Sequence, residues 1–303
     1  MVRCMDSSCH TIRLDLAAGP GDISKPYGEY FTHDAPKGTP HGIRRIYRTL
    51  RYGFIAHQFG YTRVGERPSH RVLGWILSLL PECRAYFEAS VMWLRAKPGG
   101  RVLDVGCGRG DLVAELTELG WKAQGIDTDR QALAIARDRG LEVMEGCLDA
   151  QDLAANTYDA VVMSHVIEHL EDPRRTIQEC WRVLKPGGTL VLLTPNPESL
   201  GHRLFQRDWL HLDPPRHLHL FPTGALSKIV REAGFSRVQS FTHIRDARMT
   251  LGASIQLRRK GSYVFGKLPL PVKLVGSLLA NLEWLAVLFS SRMGEELTVI
   301  AEK

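Results

Sequence analysis

The sequence predicts an α/β fold, a doubly wound, mostly parallel sheet of seven strands, with a helical cap before it and a helical insertion near the C-terminal end. Three observations carry the prediction. From Gly100 onward, short β-rich runs alternate with amphipathic helical segments, the order that makes parallel strands with helices on both faces. The run VLDVGCGRGDL, residues 102–112, reads as a strand, a glycine turn and a helix start, the kind of junction where such sheets take their ligands. A chain of 303 residues with 44% hydrophobic and 24% charged content also suffices for a full core with appendages.

Residues 1–40 are rich in Gly, Pro, Asp and Ser without a sustained period, and an irregular arm is expected there. Residues 41–98 form the expected cap, because IRRIYRTLRYGFIAHQF and RVLGWILSLLPECRAYFEASVMWL carry apolar residues at helical spacing. Residues 99–303 hold the sheet, with strands expected in RVLDV, KAQGI, LEVME, YDAVVMS, TLVLLT, RVQSFTH and LTVIAEK. Its helices are expected in DLVAELTELG, DRQALAIARDRG, DPRRTIQECWRVL and PTGALSKIVREAGF. Two insertions interrupt this domain, one at 196–222 and one at about 250–292. The second contains LPLPVKLVGSLLANLEWLAVLF (268–289), the most apolar segment of the chain. Asn281 and Glu283 cut its apolar run short of the ~20 residues a bilayer span needs. A core-packed helix is predicted, with an interfacial membrane helix as the alternative because bases flank it.

The net charge of +6 is unevenly placed. Between Lys37 and Arg71 the bases Arg44, Arg45, Arg48, Arg51, Arg63 and Arg67 meet a single acid, Glu66, and a second cluster, Arg258, Arg259, Lys260, Lys267 and Lys273, precedes or opens the apolar segment. Such patches attract phosphates on nucleic acid, lipid or substrate, and composition does not choose among them or exclude a plain solvated face. Six cysteines without a repeated spacing fit reduced thiols better than a disulfide framework. No early stretch joins a basic segment to a long apolar run and a small-residue cleavage site, so a secretory signal is not expected. A cytoplasmic protein is predicted, with peripheral contact at the inner membrane surface.

In VLDVGCGRGDL the glycines Gly106, Gly108 and Gly110 turn the chain and let a ligand lie against the backbone. Their spacing is G-x-G-x-G, whereas dinucleotide sites carry G-x-G-x-x-G, and Asp104 stands two residues before the first glycine. A carboxylate there repels a pyrophosphate and suits a cation. S-adenosylmethionine, with an ammonium, a sulfonium and no phosphate, fits.

After VLDVGCGRG come GIDTD, GCLDAQDL, YDAVVMSHVIEHLEDP and RVLKPGGTLVLLTPN. With these motifs in this order, the chain from about Gly100 to Phe241, and again in its last strand, resembles the class I S-adenosylmethionine-dependent methyltransferases. The resemblance implies their Rossmann-like fold and their cofactor. It implies that Asp104, Gly106, Gly108 and Gly110 form the cofactor loop and that Asp127 takes both ribose hydroxyls. Leu148 and Asp149 would contact the adenine, and Thr128 and Ser164 complete the implied cofactor set. The run TPNPESLGHRLFQRDWLHLDPPRHLHLF, followed by a helix ending EAGF, resembles the branch that holds ubiquinone biosynthesis O-methyltransferases and bacterial methyltransferases of glycans and antibiotics. The segment RCMDSSCH faintly resembles half of a zinc ribbon, but Cys4 and Cys9 alone cannot complete a four-ligand site.

HVIEH, residues 165–169, matches the H-x-x-E-H pattern of zinc peptidases, yet it begins at the end of a predicted strand and lacks their helical frame. The resembled branch carries E-x-x-E-H there and a later histidine, a set able to hold a divalent ion. Here His165 replaces the first glutamate, while Glu168, His169, His217 and His219 remain. Imidazole in place of a carboxylate weakens a hard-cation site, so no metal is predicted, and Glu168 and His169 are expected to orient the site loop. Methylating a hydroxyl leaves a proton to remove, and His217, His219 and His169 are the candidate catalytic residues. In an extended run His217 and His219 point to one side, so one can face the acceptor while the other packs, unless both are structural. The predicted function is O-methylation of a small or lipid-linked acceptor, a glycan or a quinone-type phenol. An RNA methyltransferase ranks behind it, because neither an RNA-binding module nor an N-P-P-[YF] motif is present, and a non-catalytic binder of the cofactor is the other alternative. No protein partner or nucleic acid is predicted.

Overall fold

The computed structural model describes residues 1–4, 10–14, 41–62, 68–264 and 267–303. Cys9 of the ribbon-like segment, and Arg63 and Arg67 of the first basic cluster, lie outside the described residues. Strands β1 (Val2–Arg3) and β2 (Ile12–Arg13) precede helices α1 (His41–Phe59), α2 (Pro68–Leu77) and α3 (Pro81–Ala89). Then follow β3 (Arg101–Val105), α4 (Asp111–Glu118), β4 (Lys122–Asp127), α5 (Arg130–Asp138), β5 (Val143–Glu145), β6 (Tyr158–Ser164), α6 (Pro173–Val183) and β7 (Leu184–Pro195). The chain continues through α7 (Leu200–Phe205), β8 (His219–Leu220), α8 (Thr223–Glu232), β9 (Ser236–His243), α9 (Ala247–Lys260), α10 (Leu270–Phe289) and β10 (Glu296–Glu302).

The expected seven-stranded sheet is present, in the order β5-β4-β3-β6-β7-β10-β9. Strands β4 and β6 both pair in parallel with β3, and β5 pairs in parallel with β4. The strand order therefore reverses between β3 and β6, the switch point at which doubly wound sheets bind ligands. By packing the chain divides into two units. Unit I comprises Glu29–Met163, Glu179–Val191 and Glu302–Lys303, and unit II comprises Met1–Gly28, Ser164–Gln178 and Leu192–Ala301.

In unit I, β3 buries Val102, Leu103 and Val105, and α5 buries Ala132, Leu133 and Ala136, an i, i+1, i+4 stripe on one helix face. Asp129 starts α5 by accepting hydrogen bonds from the Gln131 and Ala132 amides at 2.9 and 3.2 Å. The predicted cap is helical and is fastened to α4 by the Arg51–Glu115 ion pair at 2.5 Å. Helices α1 and α2 cross so closely that a Cβ on Gly53 would lie 2.0 Å from the His70 carbonyl oxygen. The second cap segment forms α2 and α3, separated where Pro81 opens α3 and Leu80 before it is extended, at φ −81° and ψ 116°.

In unit II, Phe205, Trp209, Leu220, Ile244 and Leu251 form a core that also takes in Ile12. The arm expected to be irregular supplies two strands there, because β2 pairs antiparallel with both β1 and β8, Ile12 opposite Leu220. Strands of two residues are too short to show a period. Helix α10 departs from the core-packed expectation: Val272, Gly276, Ala280 and Glu283 are buried, but only 22% of its most apolar 18-residue window is.

Candidate active site

The glycine loop of unit I joins β3 to α4. Gly106, Gly108 and Gly110 have φ of 76°, 52° and 77°, the left-handed region that favours glycine. The Gly108 amide donates to Asp127 Oδ2 at 2.7 Å and the Asp129 amide donates to Oδ1 at 2.8 Å, so the acid ending β4 ties the loop down. Each carboxylate oxygen keeps a second lone pair for a hydroxyl. Gly125 is required by close approach, since a Cβ there would lie 2.5 Å from Cys107 Sγ.

Asp104 is 4% exposed. Burial, and then the charge of Asp127, push its carboxyl up to about 8. A cation beside it would relieve both effects, and this is the observation that tests the cofactor: two acids on adjacent strands above left-handed glycines fit an ammonium-bearing, sulfonium-bearing ligand. Leu148 is buried in a 3-10 turn with half-buried Asp149, Thr128 is exposed after β4, and Ser164 ends β6 half-buried.

Unit II holds the histidines. After β6, His165 adopts φ +55° and the chain enters a 3-10 turn, Ile167–His169. Glu168 is fully buried; its Oε2 accepts from Thr194 Oγ1 at 2.9 Å, and its backbone carbonyl accepts from the Leu218 amide at 2.8 Å. That second bond brings the DPPRHLHLF segment against HVIEH. His169 Nδ1 lies 2.9 Å from the Arg216 carbonyl oxygen and His217 Nδ1 lies 2.6 Å from the His211 carbonyl oxygen. A carbonyl can only accept, so both Nδ1 atoms carry the proton and, in the neutral rings, both Nε2 atoms carry the lone pair. The two rings lie 4.8 Å apart, and one ligand atom each from Glu168, His169 and His217 falls within 4.8 Å of the others. Burial lowers the proton affinity of His217 below the usual imidazole value.

His219 is not part of that group. It stands in β8 opposite Arg13, and its ring stacks on Phe221 at 5.6 Å. Sequence reasoning also missed the support around His165, whose Nδ1 faces Glu168 Oε1 at 3.3 Å and whose Nε2 lies 2.9 Å from Glu296 Oε1. Burial opposes charge on His165, but the hydrogen bonds to the two carboxylates outweigh it and hold the ring near 10. Against its own burial, Glu168 is held down at about 2 by His165, and then by His169 and His217. Arg245, 3.9 Å from Glu296, adds a second cation beside this group. Only the doubled histidines of HLH and HVIEH signalled this arrangement; Glu296 lies 131 residues beyond His165 and carries no motif of its own.

Comparison with known proteins follows the same lines. A family model described as a methyltransferase domain matches residues 82–240. The ubiquinone biosynthesis O-methyltransferase of Xanthomonas oryzae pv. oryzae (strain PXO99A) is 42% identical over 130 residues, 40% of this chain and 54% of that protein. The protein of the same name from Bordetella avium (strain 197N) is 33% identical over 149 residues, 45% of this chain and 62% of that one. The chain thus spans about half the length of the curated relatives it matches. The fold is shared with the S-adenosylmethionine dependent methyltransferase from Mesorhizobium loti, at 20% identity and a TM-score of 0.50 over 72% of this chain and 98% of that chain.

Proposed function

The chain belongs to the methyltransferase-domain family, and from that premise we propose that it methylates a hydroxyl of a small or lipid-linked acceptor, with S-adenosylmethionine as the donor. The observation that carries the acceptor chemistry is the pair of imidazoles whose Nδ1 protons are pinned to backbone carbonyls, leaving Nε2 bare beside buried Glu168. Glycan hydroxyls and quinone-type phenols are the acceptor classes. The enzyme works in the cytoplasm, in peripheral contact with the inner membrane surface.

S-adenosylmethionine supplies a methyl group already activated on sulfur, with a neutral thioether departing. Asp104 would face its cationic part, Asp127 would take ribose hydroxyls, and Leu148 and Asp149 would hold the base, with Thr128 and Ser164 completing the set. A hydroxyl acceptor also has a proton to lose, and the histidine cluster offers the bases for it. His217 Nε2 accepts that proton, kept neutral beforehand by burial, and Glu168 then stabilises the imidazolium. His169, with its own Nδ1 proton held by a carbonyl, offers a second Nε2 lone pair for the same proton. His219 packs the wall behind them.

A second reading draws on the same cluster. Glu168, His169 and His217 each bring one ligand atom within 4.8 Å of the others, a three-donor set that fits a divalent ion. Those residues would hold it, and it would polarise the acceptor hydroxyl. Activity that survives complete chelation removes this reading.

The test of the proposal is incubation with methyl-labelled cofactor and fractionated cell extract. Label in a hydroxyl of lipid, quinol or glycan is expected. Label in RNA, or no cofactor turnover with any fraction, overturns it.

A further inference from the structure

Helix α10 has two apolar faces where a solvated helix has one. Val272, Gly276, Ala280 and Glu283, at spacings of four, four and three, are buried against unit II. On the other side Leu274, Leu278, Leu282 and Leu285 are 64%, 61%, 47% and 44% exposed, and Phe289 in the last turn is 90% exposed. Lys273, Ser277 and Asn281 follow one another at i, i+4 and run as a polar stripe along the flank. An apolar face bounded by a polar stripe belongs to a helix lying in an interface.

The buried stripe argues against a crossing. A Cβ on Gly276 would lie 2.6 Å from the Arg248 carbonyl oxygen and 3.3 Å from the Gly252 amide nitrogen, so α10 lies directly on the backbone of α9. Glu283 has no exposure at all. The helix is thus held along its length by unit II, and its leucines face outward.

Charge and shape say what meets them. Between Ala247 and Arg292 the sole acid is the buried Glu283, whereas Arg259, Lys260, Lys267 and Lys273 are all exposed; Arg258 is paired with Asp208 at 3.1 Å. Beside them a cavity of about 330 Å³ is lined by Arg248, Met249, Tyr263, Leu268 and Lys273, two cations on otherwise largely apolar walls. Such a lining suits a phosphate with hydrocarbon attached. Each basic residue near an anionic bilayer strengthens partition on the order of fivefold.

We propose that α9 and α10 dock unit II on an anionic phospholipid surface, with the leucine face at the boundary between headgroups and acyl chains and a lipid phosphate held at the cavity by Arg248 and Lys273. The inference rests on the peripheral-membrane part of the function proposed above. Its test reads lipid binding without turnover, so a failure of either idea is seen separately.

The full chain is floated with vesicles of phosphatidylcholine alone and of phosphatidylcholine with about one-third phosphatidylglycerol. Retention on the anionic vesicles at least tenfold above the neutral ones is expected, falling steeply with salt. The double variant Leu278→Glu/Leu285→Glu, at exposed positions, should lose at least tenfold of that retention with its circular dichroism spectrum unchanged. Lys273→Glu should lose the preference for anionic vesicles. No retention of the parent chain, or undiminished retention of the folded double variant, overturns the proposal. So does a dimer in sedimentation velocity that Leu278→Glu disperses, since a second copy would then cover the leucines.

Discussion

The glycine loop of unit I and the histidine cluster of unit II are built in opposite ways. The loop uses twenty-six consecutive residues, Asp104 to Asp129, and its backbone amides bond to the Asp127 carboxylate and to the Ile126 carbonyl. The cluster collects side chains from the turn after β6, from β7, from the segment before β8 and from β10, and its bonds run between side chains and from imidazoles to backbone carbonyls. The loop sets two acids on adjacent strands, and burial raises the carboxyl of Asp104. The cluster brings its own cations and sets proton affinities. A variant of the first should therefore change how tightly the cofactor binds, and a variant of the second should change turnover or stability.

The largest effect expected is from His165→Ala, which leaves Glu168 and Glu296 buried without the imidazolium between them. Loss of about 3–5 kcal/mol of unfolding free energy at pH 6 is expected from denaturant titration. Stability from this ring is fully present below pH 6.5 and falls as pH rises through about 10, so the deficit should shrink in strongly alkaline buffer. Next comes His217→Ala, with kcat lowered about 100-fold and the cofactor dissociation constant unchanged in calorimetry. Equal losses in both would mean that the two regions do not divide the work.

Gly125→Ala probes the other side. The new Cβ presses on Cys107 Sγ and moves the loop, so cofactor affinity should weaken about tenfold while kcat at saturating cofactor is retained. The smallest effect sharpens the contrast with a second pair of acids. Glu283 and Glu295 are buried together in unit II, and Glu295 Oε2 accepts from Trp209 Nε1 at 2.7 Å. Burial raises both carboxyls, Glu295 to about 7, so they cost no stability below pH 4.5 and an increasing amount as pH rises above it. Glu283→Gln should raise the melting temperature by a few degrees at pH 8, roughly 1–2 kcal/mol, and by nothing near pH 4.5.

The sheet was readable because each strand and helix carries its own period and its own stop, such as Gly110 before α4 or Asp129 before α5. The loop was readable for the same reason, since Asp104, the glycines and Asp127 sit at fixed spacing along one strand-turn-helix-strand unit. His169 and His217 could be singled out, but not their meeting, which depends on the Leu218 amide bonding to Glu168. Of the two histidines that alternation left as alternatives, His219 lies apart from that meeting, because β8 turns it against Phe221. The helix α10 misled because apolar composition is the same whether leucines meet a core or face away from one.

The contact between His165 and Glu296 joins residues 131 positions apart. The ribosome therefore finishes the two halves of the chemistry at different times. A nascent chain that has released β3 through β6 already owns every residue of the glycine loop, yet the carboxylate that balances His165 arrives only with β10. The acid that ties down the glycine loop is thus translated well before the carboxylate that closes the charge balance around His165.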